Sequence, residues 1–181
     1  KSVKELISLA KAKPGVLNYS SALPGGTSHL QTELFKSMAG VDIVGIYYKA
    51  TAQATTALIG GETQMVILNV DLILPHMKSG RLRALAVTSA QPSTLAPGLP
   101  TVAATGLPGY EAVSMTGMFV PSKTPQAIVD RLSREIMTLM NRADVKERFL
   151  KTGVEPVGSS PEQFGAAVKS DTANLTKVIK D

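Results

Sequence analysis

The feature that most restricts this chain is an alternation, between residues 16 and 88, of short strand-like runs with amphipathic stretches closed by glycine. Residues 16–21 (VLNYSS) read as a strand, and residues 28–39 as a helix with Leu30, Leu34, Phe35 and Met38 on one face, stopped by Gly40. A strand over 42–48, a small-residue helix over 51–59 closed by Gly60 and Gly61, and a strand over 63–68 follow. A helix over 70–78 ending at Gly80 and a strand over 82–88 complete a β-α-β-α-β-α-β series. Such a series predicts a mostly parallel sheet with helices on both faces, hence one compact α/β lobe.

The period breaks over residues 89–109 (SAQPSTLAPGLPTVAATGLPG), where four prolines and several glycines mark an ordered connector or a domain crossing. Beyond it lie a strand at about 112–120, a helix over 125–141 with Ile128, Leu132, Ile136 and Met140 on one stripe, a short helix in ADVKERFLKTG and a short strand in VEPV. Ser160 and Gln163 open the last helix as a capping box. These helices have no evident sheet to cover, as though part of a lobe were missing. The segment from 105 onward is therefore expected to be the less stable part, with self-association as the remedy for its apolar stripe.

At 181 residues and 44% hydrophobic content the chain can bury a sizeable core. Its longest apolar run, MVILNVDLILPHM, is broken by Asn69 and Asp71 and falls short of the roughly 20 residues of a membrane helix. The first residues, KSVKELISLAKAK, read as an amphipathic helix with no secretory signal. There is no cysteine, which excludes disulfides and thiolate ligands. The net charge of +5 is dispersed along the chain, and aromatics make up 4% with no tryptophan, so nucleic acid is not an expected partner and a small anion suits the field better.

The stretch SSALPGGTSHLQ, at the carboxyl end of the first strand, carries the candidate chemistry. Ser28 with Gln31 three residues on matches a capping box, which sets Gly25-Gly26-Thr27 just before a helix N-terminus. Ligands of open α/β sheets bind at that edge. Glycines permit close backbone approach, free amides of the first turn point outward, and the hydroxyls of Ser20, Ser21, Thr27 and Ser28 can add donors to a carboxylate. The same residues also make a plain tight turn with Ser28 as its cap, and the stretch alone does not choose between the two. No phosphate-binding loop, dinucleotide fingerprint, His-Glu-x-x-His pair or Gly-x-Ser-x-Gly elbow occurs, so no nucleotide, other cofactor, metal or catalytic residue is expected. His29 reads as flanking the cap, and Lys49 as a solvated lysine at a strand end.

Several segments in order, KPGVLNYSSALPGGTSHLQTELFKSMAGVDIVGIYYKATAQATTALIGGETQM, LPHMKSGRLRALAVTSA, LPTVAATGLPGYE and GVEPVGSSPEQF, resemble the Bug family of extracytoplasmic solute-binding receptors of tripartite tricarboxylate transporters. The resemblance implies a type II periplasmic-binding-protein-like α/β fold with two lobes closing on a carboxylate-bearing solute, periplasmic residence and delivery to membrane permease subunits. Residues 1–105 would be an entering helix and one complete lobe, and residues 106–181 the returning C-terminal portion of the other. By the same resemblance the ligand-binding positions are Ser20, Ser21, Gly25, Gly26, Thr27 and Ser28 in the first loop, Thr51 after the second strand and Asn69 after the third. The chain departs from the family pattern at Leu23-Pro24, Tyr47, Ala50 and Leu68, and at Met115-Thr116. A ligand-sensing effector domain of a transcriptional regulator shares the same two-lobed logic and is the alternative; a hydrolase ranks behind both.

Overall fold

The computed structural model describes residues 2–180, with side chains as far as residue 176. Its elements run α1 (Val3–Ala12), β1 (Asn18–Ser21), α2 (Thr27–Ala39), β2 (Val44–Tyr47), α3 (Thr51–Ile59), α4 (Val70–Lys78), α5 (Val102–Thr105), α6 (Gln126–Asn141), α7 (Ala143–Lys151) and α8 (Pro161–Lys180). The chain divides into two units, the first running to Val113 and the second spanning Ser114–Asn174.

In the first unit β1 and β2 pair in parallel, with Tyr19 opposite Gly45 and Ser21 opposite Tyr47. On the other side of β1, Met65 forms a single parallel bridge to Tyr19, and the Ser20 amide donates to the Met65 carbonyl at 3.1 Å. The expected strand over 63–68 is thereby reduced to one bridge. The Ile67 carbonyl, which a longer ladder would use, accepts the Ser28 hydroxyl instead at 2.6 Å. The expected strand over 82–88 pairs elsewhere: Val87 bridges Thr101, with its amide donating to the Pro100 carbonyl at 2.8 Å. Among the described residues the sheet is parallel, as the alternation predicts, and narrower than the four strands read from it.

Helix ends follow local chemistry. Gly40, in the left-handed conformation at φ 59°, closes α2 by donating to the Lys36 and Ser37 carbonyls, a geometry glycine adopts without a Cβ penalty. Ser2 caps α1, its hydroxyl accepting the Glu5 amide at 3.2 Å. The chain moves from β1 to β2, then back past β1 to the Met65 segment. Beneath α2 lies the core, formed by Val3, Leu17, Tyr19, Phe35, Ile43, Val102, Leu107 and Tyr110. Burial of a ring such as Phe35, 3% exposed, stabilises by about 2–3 kcal/mol. Tyr110 meets Phe35 edge to face at 5.9 Å and donates its hydroxyl to the Gln31 carbonyl at 3.0 Å. Burial of Leu107, Tyr110 and Ala112 carries this unit past the proline-rich connector.

The second unit is built differently. None of its described residues is buried, and α6 leaves Ile128 50% exposed along with Leu132 and Leu139. The expected strands at 112–120 and VEPV form no ladder among the described residues; Ala112, near the end of the first unit, donates its amide to the Thr88 carbonyl at 2.9 Å. Its last helix opens with the capping box expected at Ser160: the Ser160 hydroxyl accepts the Gln163 amide at 3.2 Å, and the Gln163 side chain accepts the Ser160 amide at 3.0 Å.

Candidate functional site

The strand order reverses at β1, since its own connection leads to one side and the Met65 segment lies on the other. In an open parallel sheet that reversal leaves a crevice at the carboxyl ends of the two strands, bordered by the loops that leave them. Here those loops are residues 22–26, before α2, and the turn at Asn69, before α4. The Ser28–Ile67 hydrogen bond holds the two together, because Ile67 is two residues before Asn69.

Three helices start at this edge: α2 from Gly26, α3 from Ala50 and α4 from Asn69, and in none does the N-cap residue's side chain cap a first-turn amide. The other two helices of the unit, α1 and α5, are capped by Ser2 and Thr101. No acidic residue lies in the first turn of α2 or α3. Helix N-termini left in this state present amides and positive potential to an anion.

The Ser28–Gln31 capping box does not form. Gly26, extended at φ −72° and ψ 166°, is the N-cap residue, so the helix starts at Thr27 and Ser28 turns inward to Ile67. Gly25 takes φ 76°, the left-handed region that glycine enters freely, and its amide donates to His29 Nδ1 at 2.9 Å. The Gly26 amide donates to the Leu23 carbonyl at 3.1 Å. Both glycine amides are therefore engaged within the loop, and the uncommitted donors are those at the start of α2.

The other expected site residues divide by depth. Gly25, Thr27 and Asn69 are exposed; Gly26, Ser28 and Thr51 are half-buried. Ser20 and Ser21 are sealed at 0% and 1% exposure, and their hydroxyls have no hydrogen-bond partner among the described residues. Such groups are costly unless something pairs with them. Thr51 is the first residue of α3, behind an open depression of about 580 Å³ at the end of β2, lined by Tyr47, Tyr48, Gln53 and Glu62. Lys49 lies there too, exposed, as a solvated lysine would.

A polar cluster on α2 was not foreseen from the sequence. The Tyr19 hydroxyl donates to Glu33 Oε1 at 2.7 Å and lies 3.2 Å from the Tyr47 hydroxyl, while Lys36 Nζ donates to both Glu33 oxygens at 2.8 and 2.9 Å. Burial alone would raise the Glu33 carboxyl, but the hydrogen bonds from Lys36 and Tyr19 outweigh it and hold the group below its ordinary range. Burial, then the bonds to Tyr47 and Glu33, push the Tyr19 phenol far above its usual value. The His29 ring stacks on Tyr19 at 6.4 Å and meets Tyr47 edge-on at 5.3 Å. The 29, 33, 36 spacing, one face of a helix, was the available signal.

Comparison with known proteins agrees with this geometry. The sequence model of the tripartite tricarboxylate transporter family receptor matches residues 1–181. Protein BugT of Bordetella pertussis (strain Tohama I) is 33% identical over 180 residues, covering 99% of this chain and 55% of BugT. Among solved structures, an R. palustris protein with adipate superposes with a TM-score of 0.81 at 36% identity, covering 99% of this chain and 60% of that one. The periplasmic binding protein BugD gives 0.75 at 28%, covering 99% and 60%. The chain thus spans little more than half the length of BugT, and its fold is the α/β fold of periplasmic binding proteins.

Proposed function

We propose that this chain, which belongs to the tripartite tricarboxylate transporter receptor family, is the solute-capturing part of an extracytoplasmic receptor for a small carboxylate. The observation that carries this reading is the set of three N-termini, of α2, α3 and α4, left without side-chain caps at one edge of a parallel sheet. A solute carboxylate takes the vacant capping position at α2, receiving the first-turn amides and the Thr27 hydroxyl. Gly25 and Gly26 keep that approach free of side chains. Thr51 and Asn69 bring the neighbouring helix starts to the same edge, and the buried Ser20 and Ser21 hydroxyls lie under the loop as reserve donors. That a structural relative was solved with adipate supports a dicarboxylate as the solute.

Residues 1–105 are read as the complete ligand-binding lobe and residues 106–181 as the returning portion of its partner lobe. The receptor resides in the periplasm and hands its solute to membrane permease subunits, and no catalysis is assigned to the site. Taken by itself, the 181-residue chain self-associates through the apolar face of α6.

The test is a thermal-shift and calorimetric titration of the chain with mono-, di- and tricarboxylates, adipate included. A solute present at a hundredfold excess over its Kd stabilises by about 2.7 kcal/mol. Thr27→Ala should cost about 1 kcal/mol of binding, roughly fivefold in Kd. No stabilisation by any carboxylate, or an unchanged Kd in Thr27→Ala, would remove the loop from the site.

A further inference from the structure

We propose that His29 is a positioning residue that holds the solute loop in its receiving shape by supplying one half of a capping box. In the full motif the N-cap side chain accepts a first-turn amide and the third helical side chain returns to accept the N-cap amide. With Gly26 as the N-cap residue, the forward half has no side chain to make it. His29 is the third helical residue and makes a variant of the returning half, its Nδ1 accepting at 2.9 Å the amide of Gly25, one residue before the N-cap. The loop is thus fixed while the start of α2 stays open to an external anion. The start of α3 is latched in the same way, Gln53 Oε1 accepting the Lys49 amide at 3.2 Å, whereas Asn69 makes no side-chain cap bond at α4.

Because an N–H donates to Nδ1, the neutral ring carries its proton on Nε2. That nitrogen faces Glu33 Oε1 at 3.9 Å on the same helix. The ring plane is set by Tyr19 of β1 and Tyr47 of β2, and the charged groups around it are Glu33 and Lys36, with Lys36 bound to Glu33. The link from loop shape to solute affinity rests on the function proposed above; the latch itself does not.

Two experiments separate these points. In the solute-free chain, nuclear magnetic resonance should show Nδ1 unprotonated and a scalar coupling across the hydrogen bond between the Gly25 and His29 nitrogens. A proton on Nδ1 at neutral pH, or no coupling there, overturns the latch whether or not any carboxylate binds. In adipate titrations, His29→Phe, which keeps ring packing and removes the acceptor, should weaken affinity about tenfold, whereas His29→Gln, which restores an acceptor, should stay within about threefold of the parent. Equal losses in both variants, or none in His29→Phe, overturn the positioning role. If no carboxylate binds the parent chain, the proposed function fails, and the Gly25–His29 coupling alone decides the latch.

Discussion

The hydroxyl of Ser28 and the carbonyl of Ile67 lie 2.6 Å apart, and this bond ties the first turn of α2 to the segment that ends at Asn69. Ser28→Ala leaves the carbonyl without its partner. The expected cost is about 1–2 kcal/mol of stability in the first unit, read as a lowered midpoint in urea unfolding. A midpoint equal to that of the parent would show that water replaces the hydroxyl at no cost.

Gly45 is confined by two hydroxyls. A Cβ at this position would lie 2.8 Å from both the Tyr19 and the Tyr47 oxygens, so the pair 3.2 Å apart must separate to admit it. Gly45→Ala should destabilise by about 1–3 kcal/mol, and Tyr47→Phe in the same chain should recover part of that loss. Thermal unfolding of the single and double variants gives the comparison; strict additivity would refute the shared cause.

Glu33 predicts a pH dependence of stability. Its carboxyl lies below the ordinary range in the folded chain, so its contribution is present above the unfolded-state value and disappears as pH falls through the folded one. Glu33→Gln lacks this contribution. The stability gap between parent and variant should therefore be widest at neutral pH and narrow on acidification. A gap constant across a pH series of melts would contradict the assignment.

In the second unit Gly117 lies against Phe164, whose ring a Cβ at residue 117 would overlap. Gly117→Ala should displace that ring from Phe119, now 5.5 Å away, and loosen the unit. Hydrogen exchange should show faster exchange within residues 114–174 and an unchanged pattern through the first unit. Unchanged exchange in both would mean that the ring moves freely.

Burial past Ala112 is nil among the described residues, so the second unit should exchange faster than the first in the parent chain as well. Equal protection of the two units in a strictly monomeric sample would show that the second has found a core of its own.

Periodicity and glycine punctuation made the helices legible. The helix read over 51–59 matches α3 residue for residue, and Gly40 ends α2 as its position after the apolar stripe implies. Strand pairing was less legible because a partner is a tertiary matter. Residues 63–68 have strand character, yet Ser28 takes the carbonyl that a ladder would need, and Val87 finds Thr101 nearer than the sheet. The capping-box rule fixed on Ser28 and Gln31, since it weighs side chains; the N-cap is Gly26, two residues earlier. That shift moved the third helical position to His29, whose role the spacing alone could not show.

The outer side of β2 has a further consequence. Its ladder bonds all run to β1 among the described residues, and in a parallel pair alternate amides face the opposite way, which leaves those of Gly45 and Tyr47 turned outward. Val44 and Tyr47 are exposed beside them. At four residues the edge is short, and edge strands this short limit strand addition by another chain.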